Sequence, residues 1–157
     1  WLHSRGHRVT GVDRDEAALA SLAPLMAAGA EVLQADIEDG PWPFAGRSFD
    51  AVLVTHYLWR PRLAEIAGAV APGGLLLYET FAQGHESVGR PSRPDFLLAP
   101  GELLALSVHA GLRVLAYEDG FLPDPDRFVQ RIAAVRAAAT PPGTPPRYGL
   151  GPPAAAQ

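Results

Sequence analysis

The chain has 157 residues, nearly half of them hydrophobic, and a formal net charge of -4, which is material for one hydrophobic core and argues for a single domain. All 13 basic residues are arginine and they are scattered, so the chain has neither the basic face a nucleic-acid backbone needs nor a lysine for a Schiff base or a Walker A phosphate loop. Cysteine is absent, which excludes disulfides, thiolate nucleophiles and Cys-ligated metal centres.

In chain order, Trp1–Gly6 reads as the last turn of a helix with Gly6 as its stop. Arg8–Asp13 (RVTGVD) is a short strand ending on an acid. The stretch 15–28 (DEAALASLAPLMAA) has acids in its first turn and apolar residues at helical spacing, and Pro24 should kink or shorten it. Glu31–Ala35 is a second strand, followed by the acidic loop 36–39 and a turn-rich segment, 41–46. Phe49–Thr55 (FDAVLVT) is a near-continuous apolar run, the pattern of a strand covered on both faces, and it is expected at the sheet centre.

Arg60–Val70 reads as a helix with Pro61 in its first turn, closed by Ala71-Pro72-Gly73-Gly74. Leu75–Thr80 is a further buried strand, and 83–94 is a long loop whose His85, Glu86, Arg90 and Arg93 suggest a lid or substrate-binding segment, the alternative being a mobile surface loop. Pro100–Ala110 is a helix ending at Gly111. Leu112–Glu118 and Phe128–Val135 are the last strand candidates, although propensity alone would also allow a helix over the second. Residues 138–157 are too rich in Pro, Gly and Ala for regular structure, so a disordered tail is expected there after a domain over 1–137. Alternating strands and helices predict an open, mostly parallel α/β sheet, with a final strand antiparallel to its predecessor because their connection is short.

No apolar run approaches the roughly 18 residues of a membrane span, and Trp1–Gly6 carries no signal-peptide core, so a cytoplasmic protein without a membrane partner is expected. The single methionine is Met26, and the chain reads as a fragment of something longer. The histidines do not support a metal site, and the absence of a nucleophile elbow leaves hydrolase chemistry unsupported as well.

Open α/β sheets bind ligands at the carboxyl ends of their strands. The residues to inspect are therefore Asp13 and Arg14, Asp36 to Glu38, Thr55 to Trp59, and Glu79 to Phe81. A carboxylate at Asp13 can accept hydrogen bonds from both hydroxyls of a ribose, or cap the following helix. Asp36 can accept from an adenine amine while Ile37 packs on the ring, or it can form an Asx turn. His56 and Tyr57 end the most apolar strand, where a reacting group would be presented. Glu79 needs a site mouth or an ion partner, for which Arg90 and Arg93 are available.

The runs RGHRVTGVDRD, VLQADIED, FDAVLVTHYLWRP and VAPGGLLLYETF resemble, in order and spacing, class I S-adenosylmethionine-dependent methyltransferases over roughly residues 1–136. The resemblance implies a Rossmann-like fold and S-adenosylmethionine as cofactor. It places Asp13 on the cofactor ribose with Arg14 beside it, Asp36 and Ile37 on the adenine, and Thr55, His56 and Tyr57 near the methionyl part and methyl group. Tyr57, Glu79, Phe81 and Arg90 are candidates for binding a small-molecule acceptor, and His56 and Tyr57 are the candidate catalytic groups. A nicotinamide-dependent Rossmann oxidoreductase shares the acid at the second strand, and a non-catalytic domain of the same fold is the other alternative; the APGG run and the closing antiparallel strand favour the methyltransferase. The family's first strand and glycine-rich loop are expected upstream of Trp1, the strand lying between those that end at Asp13 and Thr55. Calorimetric titration of the 157-residue chain with S-adenosylmethionine is therefore expected to give binding weaker than micromolar.

Overall fold

The computed structural model describes residues 1–141 and 143–148. By its internal contacts the chain divides into two compact units, Trp1–Gly46 and the remainder from Arg47 onward. Among the described residues six strands fall into two hydrogen-bonded sheets, one of two strands and one of four.

In the first unit, a 3₁₀ turn at His3–Arg5 is closed by Gly6 at φ 86°, a left-handed conformation open to glycine. Strands β1 (Thr10–Asp13) and β2 (Glu31–Gln34) pair in parallel, from Thr10 opposite Glu31 to Asp13 opposite Gln34. The helical segment between them is broken into α1 (Glu16–Ala20) and α2 (Ala23–Ala27). Pro24 stands in the first turn of α2, where a missing N–H costs no helical bond. Asp15 caps α1, its Oδ1 accepting from the amides of Ala17 at 2.8 Å and Ala18 at 3.4 Å.

The second unit carries a four-stranded sheet ordered β3–β4–β6–β5, built from β3 (Phe49–Thr55), β4 (Val70–Phe81), β5 (Leu112–Leu122) and β6 (Arg127–Arg136). β3 and β4 are parallel; β6 runs antiparallel to both β4 and β5 and lies between them. This settles Phe128–Val135 as a strand, since it is paired on both edges. Helices α3 (Leu63–Gly68) and α4 (Glu102–His109) pack on this sheet, α3 against β4 and α4 against β5 and β6. Beneath them Leu76, Tyr78, Thr80, Gln130, Ile132 and Ala134 are buried.

Two expectations are corrected here. Phe49–Thr55 is an edge strand of this sheet, and Leu53 is 57% exposed. The apolar run reported the character of its residues, while the cover comes from which strands the helices overlie. Leu77, next to buried Leu76 and Tyr78 but on the opposite face, is likewise exposed. Ala71–Gly74 is also no simple turn before a strand. It is a bulge inside β4, because Phe49 pairs with Val70 and Ala51 already with Leu75. A Cβ at Gly74 would lie 2.9 Å from the carbonyl oxygens of Ala71 and Phe49, so only glycine fits.

Polar side chains tie the helices to the sheet. The fully buried Gln130 donates through Nε2 to the Ala99 carbonyl (2.6 Å) and accepts from the Leu103 amide (3.3 Å) at the start of α4. Arg136 spreads over three carbonyls: Nε on Val70 at 2.8 Å, Nη2 on Ala67 at 2.9 Å and Nη1 on Ala110 at 3.1 Å. Those carbonyls belong to the C-terminal ends of α3 and α4 and the start of β4, where a cation also meets the negative helix ends. Arg60 forks onto Glu102 at 2.7 and 2.9 Å and donates to the carbonyls of Asp95 and Leu97.

Residues 137–141 and 143–148 form no helix or strand, and the remainder of the expected tail, 142 and 149–157, lies outside the described residues. Among the described residues no helix is long and apolar enough to cross a membrane.

Replacing Arg136 by Met should lower the unfolding free energy by about 2–4 kcal/mol, because three carbonyls lose a charge-assisted donor. Arg136→Lys should recover only part of it, since one ammonium cannot span the three. Urea unfolding of both variants beside the parent chain measures this.

Candidate functional site

Candidate residues lie in both units. In the first, Asp13 ends β1 and is exposed. Its Oδ1 accepts from the Asp15 amide at 2.9 Å, while Oδ2 has no partner among the described residues. The helix-capping role that an acid here might have filled is held by Asp15 instead. Asp13 is thus a strand-end carboxylate with one oxygen uncommitted.

Asp36 is more occupied. Its Oδ1 accepts from the amides of Glu38 (2.9 Å) and Asp39 (3.3 Å), an Asx turn that opens the loop after β2. Its Oδ2 lies 3.7 Å from Arg14 Nη1, which also approaches Glu38 at 3.6 Å. Arg14 therefore bridges the loops after β1 and β2, and Ile37, which stands in sequence between the two acids that Arg14 meets, is partly buried. The two amide donors, ahead of the nearby Arg14, hold the Asp36 carboxyl below its ordinary value.

In the second unit, Thr55 ends β3 exposed and opposite Glu79 of β4. His56 follows in a left-handed conformation at φ 53°, with its amide donating to the Glu79 carbonyl at 3.0 Å. A non-glycine residue held there is strained, and such residues gather at functional sites. The His56 ring stacks on Phe81, with centroids 5.1 Å apart and planes 13° apart. Phe81 stacks in turn on His85 at 4.2 Å and 21°. The carbonyl of Tyr57 accepts from the buried Tyr78 hydroxyl at 2.8 Å, and burial pushes that hydroxyl well above its ordinary pKa.

Glu79 does not end its strand, because β4 continues to Phe81, and its partner is neither Arg90 nor Arg93. Arg131 of β6 lies 3.6 Å from it and also pairs with Glu118 of β5, while Arg93 pairs with Asp95. Glu79 and Arg131 border a shallow depression of about 400 Å³ on the open sheet face, floored by Leu53, Leu77, Ala116 and Ala133. The loop 83–94 is anchored at its root, since the Gln83 amide donates to Leu98 and the Arg90 carbonyl bonds His85 Nε2 at 3.0 Å. The Arg90 side chain is exposed and has no ion partner among the described residues.

Residues 1–74 match the protein family described as "Methyltransferase domain". The fold is shared with a methyltransferase from Methanosarcina mazei at 17% identity, covering 88% of this chain and 86% of that one with a TM-score of 0.62. It is shared equally with one from Mesorhizobium loti, at 18% identity, 85% and 83% coverage and a TM-score of 0.62. The family match thus covers a little under half of the chain, and over most of its length the chain has the fold of these methyltransferases.

Other structures similar to this chain include the glycopeptide N-methyltransferase MtfA, solved with S-adenosylmethionine, at 16% identity, 85% and 79% coverage and a TM-score of 0.55. The [4+2]-cyclase SpnF is also similar, at 16% identity, 84% and 67% coverage and a TM-score of 0.58, so the fold by itself does not fix the reaction. No curated protein matches the chain.

Sequence reasoning named His85 only as part of a lid or substrate-binding segment, not as a ring in a stack, and read Arg131 as one position in a strand. Neither role carries a local signal: both residues acquire partners through strands and loops distant in sequence.

The pH response of Asp36 follows from its lowered pKa. Its contribution to stability is complete above the ordinary value of 3.8 and is lost as pH falls through the lower native value. The stability difference between the parent chain and Asp36→Ala should therefore be constant at neutral pH and shrink below about pH 4, read by urea unfolding across a pH series.

Proposed function

We propose that this methyltransferase transfers the methyl group of S-adenosylmethionine to a small-molecule acceptor in the cytoplasm, with residues 1–137 as the domain concerned. The observation that carries the cofactor assignment is Asp13: a strand-end carboxylate whose Oδ2 is uncommitted while the neighbouring Asp15 does the capping. That oxygen suits a ribose hydroxyl. Arg14 holds the loop of Asp36 in place, Asp36 offers Oδ2 to the adenine amine, and Ile37 supplies apolar contact to the ring. Thr55 and His56 are assigned to the methionyl end, and Tyr57, Glu79, Phe81 and Arg90 to the acceptor.

When bound, S-adenosylmethionine supplies a methyl group already activated on a sulfonium sulfur. What remains for the chain is to align the acceptor and keep water away. A base is needed only where the acceptor loses a proton, and His56 is the residue assigned to it, a reading supported by ring nitrogens that have no partner among the described residues. The nicotinamide-dependent oxidoreductase, which would use the same acid at the second strand, is not favoured, because the matching family is a methyltransferase domain.

Amide NMR of the chain titrated with S-adenosylmethionine at millimolar concentration should perturb residues 10–14 and 36–38, and Asp13→Ala should weaken the response by roughly tenfold or more, the worth of a charge-assisted hydrogen bond. A response to NADH with none to S-adenosylmethionine would overturn the assignment.

A further inference from the structure

The column His56–Phe81–His85 is graded from a fixed base to an open top. His85 is 4% exposed and both of its ring nitrogens are engaged. The Phe128 amide donates to Nδ1 at 3.4 Å, which makes Nδ1 the acceptor and leaves Nε2 to donate to the Arg90 carbonyl at 3.0 Å. The backbone beside it is close-packed: a Cβ at Gly84 would lie 2.9 Å from the Phe128 ring, and one at Gly89 would be in ordinary contact with the His85 ring at 3.4 Å. Phe81 is held against this base at 4.2 Å. His56, at the top, is exposed, spends one ring face on Phe81 and leaves its ring nitrogens without partners among the described residues. Its strained backbone is kept in place by the amide bond to Glu79 and by the stack itself.

An exposed planar ring held rigid on one face is prepared to take a second planar ring on the other, because its rotamer entropy is already spent. We propose that the acceptor bound by this methyltransferase is a planar aromatic molecule that stacks on the outward face of His56. In this arrangement His85 is a positioning residue, acting through Phe81. The inference rests on the methyl-transfer reading for the word acceptor, but the stacking surface itself lies wholly in the second unit and can be probed without cofactor.

The test uses the 157-residue chain with ¹³C-labelled histidine, whose five histidines give a small set of ring signals. It is titrated separately with 2-naphthol, which is planar, and 2-decalol, which has the same skeleton and hydroxyl but is not. The expected result is a saturable upfield shift of the His56 ring protons with 2-naphthol and none with 2-decalol. His85→Ala should move the free His56 signals downfield, as the ring current of Phe81 is lost, and weaken 2-naphthol binding by about 2- to 12-fold, the range of one aromatic pair. His85→Phe keeps a stacking base, so it should retain the His56 response even if His85→Ala fails to fold. Equal shifts with both probes, or a His56 signal unmoved by 2-naphthol, would overturn the proposal. Cofactor titration separates the two readings, since a silent response at residues 10–14 speaks against methyl transfer while the naphthol response of His56 stands apart from it.

Discussion

The return of β6 between β4 and β5 is the constraint on which the second unit depends. A strand inserted antiparallel in the middle of the sheet satisfies both of its own edges and places Gln130 and Arg136 beneath the two helices. Gln130 is fully buried, and its amide group is acceptable there only because both ends are bonded. Arg136 answers helix-end carbonyls that would otherwise lack donors. Together they fix where α3 and α4 end and begin, and so which sheet face is covered.

That one-sided cover has a consequence for the strand ends. With the buried face anchored, β3 and β4 lie side by side in register, and the residues at their carboxyl ends are brought together: Thr55 opposite Glu79, and His56 on Phe81. The bulge at Ala71–Gly74 contributes, because it sets the register that begins at Ala51 and Leu75. A slip of one residue would turn each side chain to the other face.

In the first unit the acids divide their labour. Asp15 caps a helix and Asp36 closes an Asx turn, roles that stabilise local backbone, while Asp13 keeps an oxygen uncommitted. Three acids of the same type at loop starts thus differ in what they can offer a ligand, and the difference lies in which amides each one meets. The [4+2]-cyclase with this fold is a reminder that the scaffold serves more than one reaction; the chemistry belongs to the side chains at the strand ends.

Much of the fold was legible in the sequence. Local signals are short-ranged, so Gly6 as a helix stop, the break around Pro24, and the strands at Thr10–Asp13, Glu31–Gln34 and Phe49–Thr55 follow from residue type and spacing alone. The strand-end rule likewise selected Asp13, Asp36 and His56 as residues to inspect. What only the tertiary structure decided are the relations between distant residues. An apolar run cannot state whether helices will cover both its faces, and FDAVLVT came to lie at an edge with Leu53 exposed. The partner of Glu79 could not be read from neighbours in sequence, because Arg131 reaches it across an antiparallel ladder formed 52 positions later. The aromatic column is the clearest case: 56, 81 and 85 share no spacing pattern, and only the parallel pairing of β3 with β4 and the anchored loop after them put the three rings in one stack.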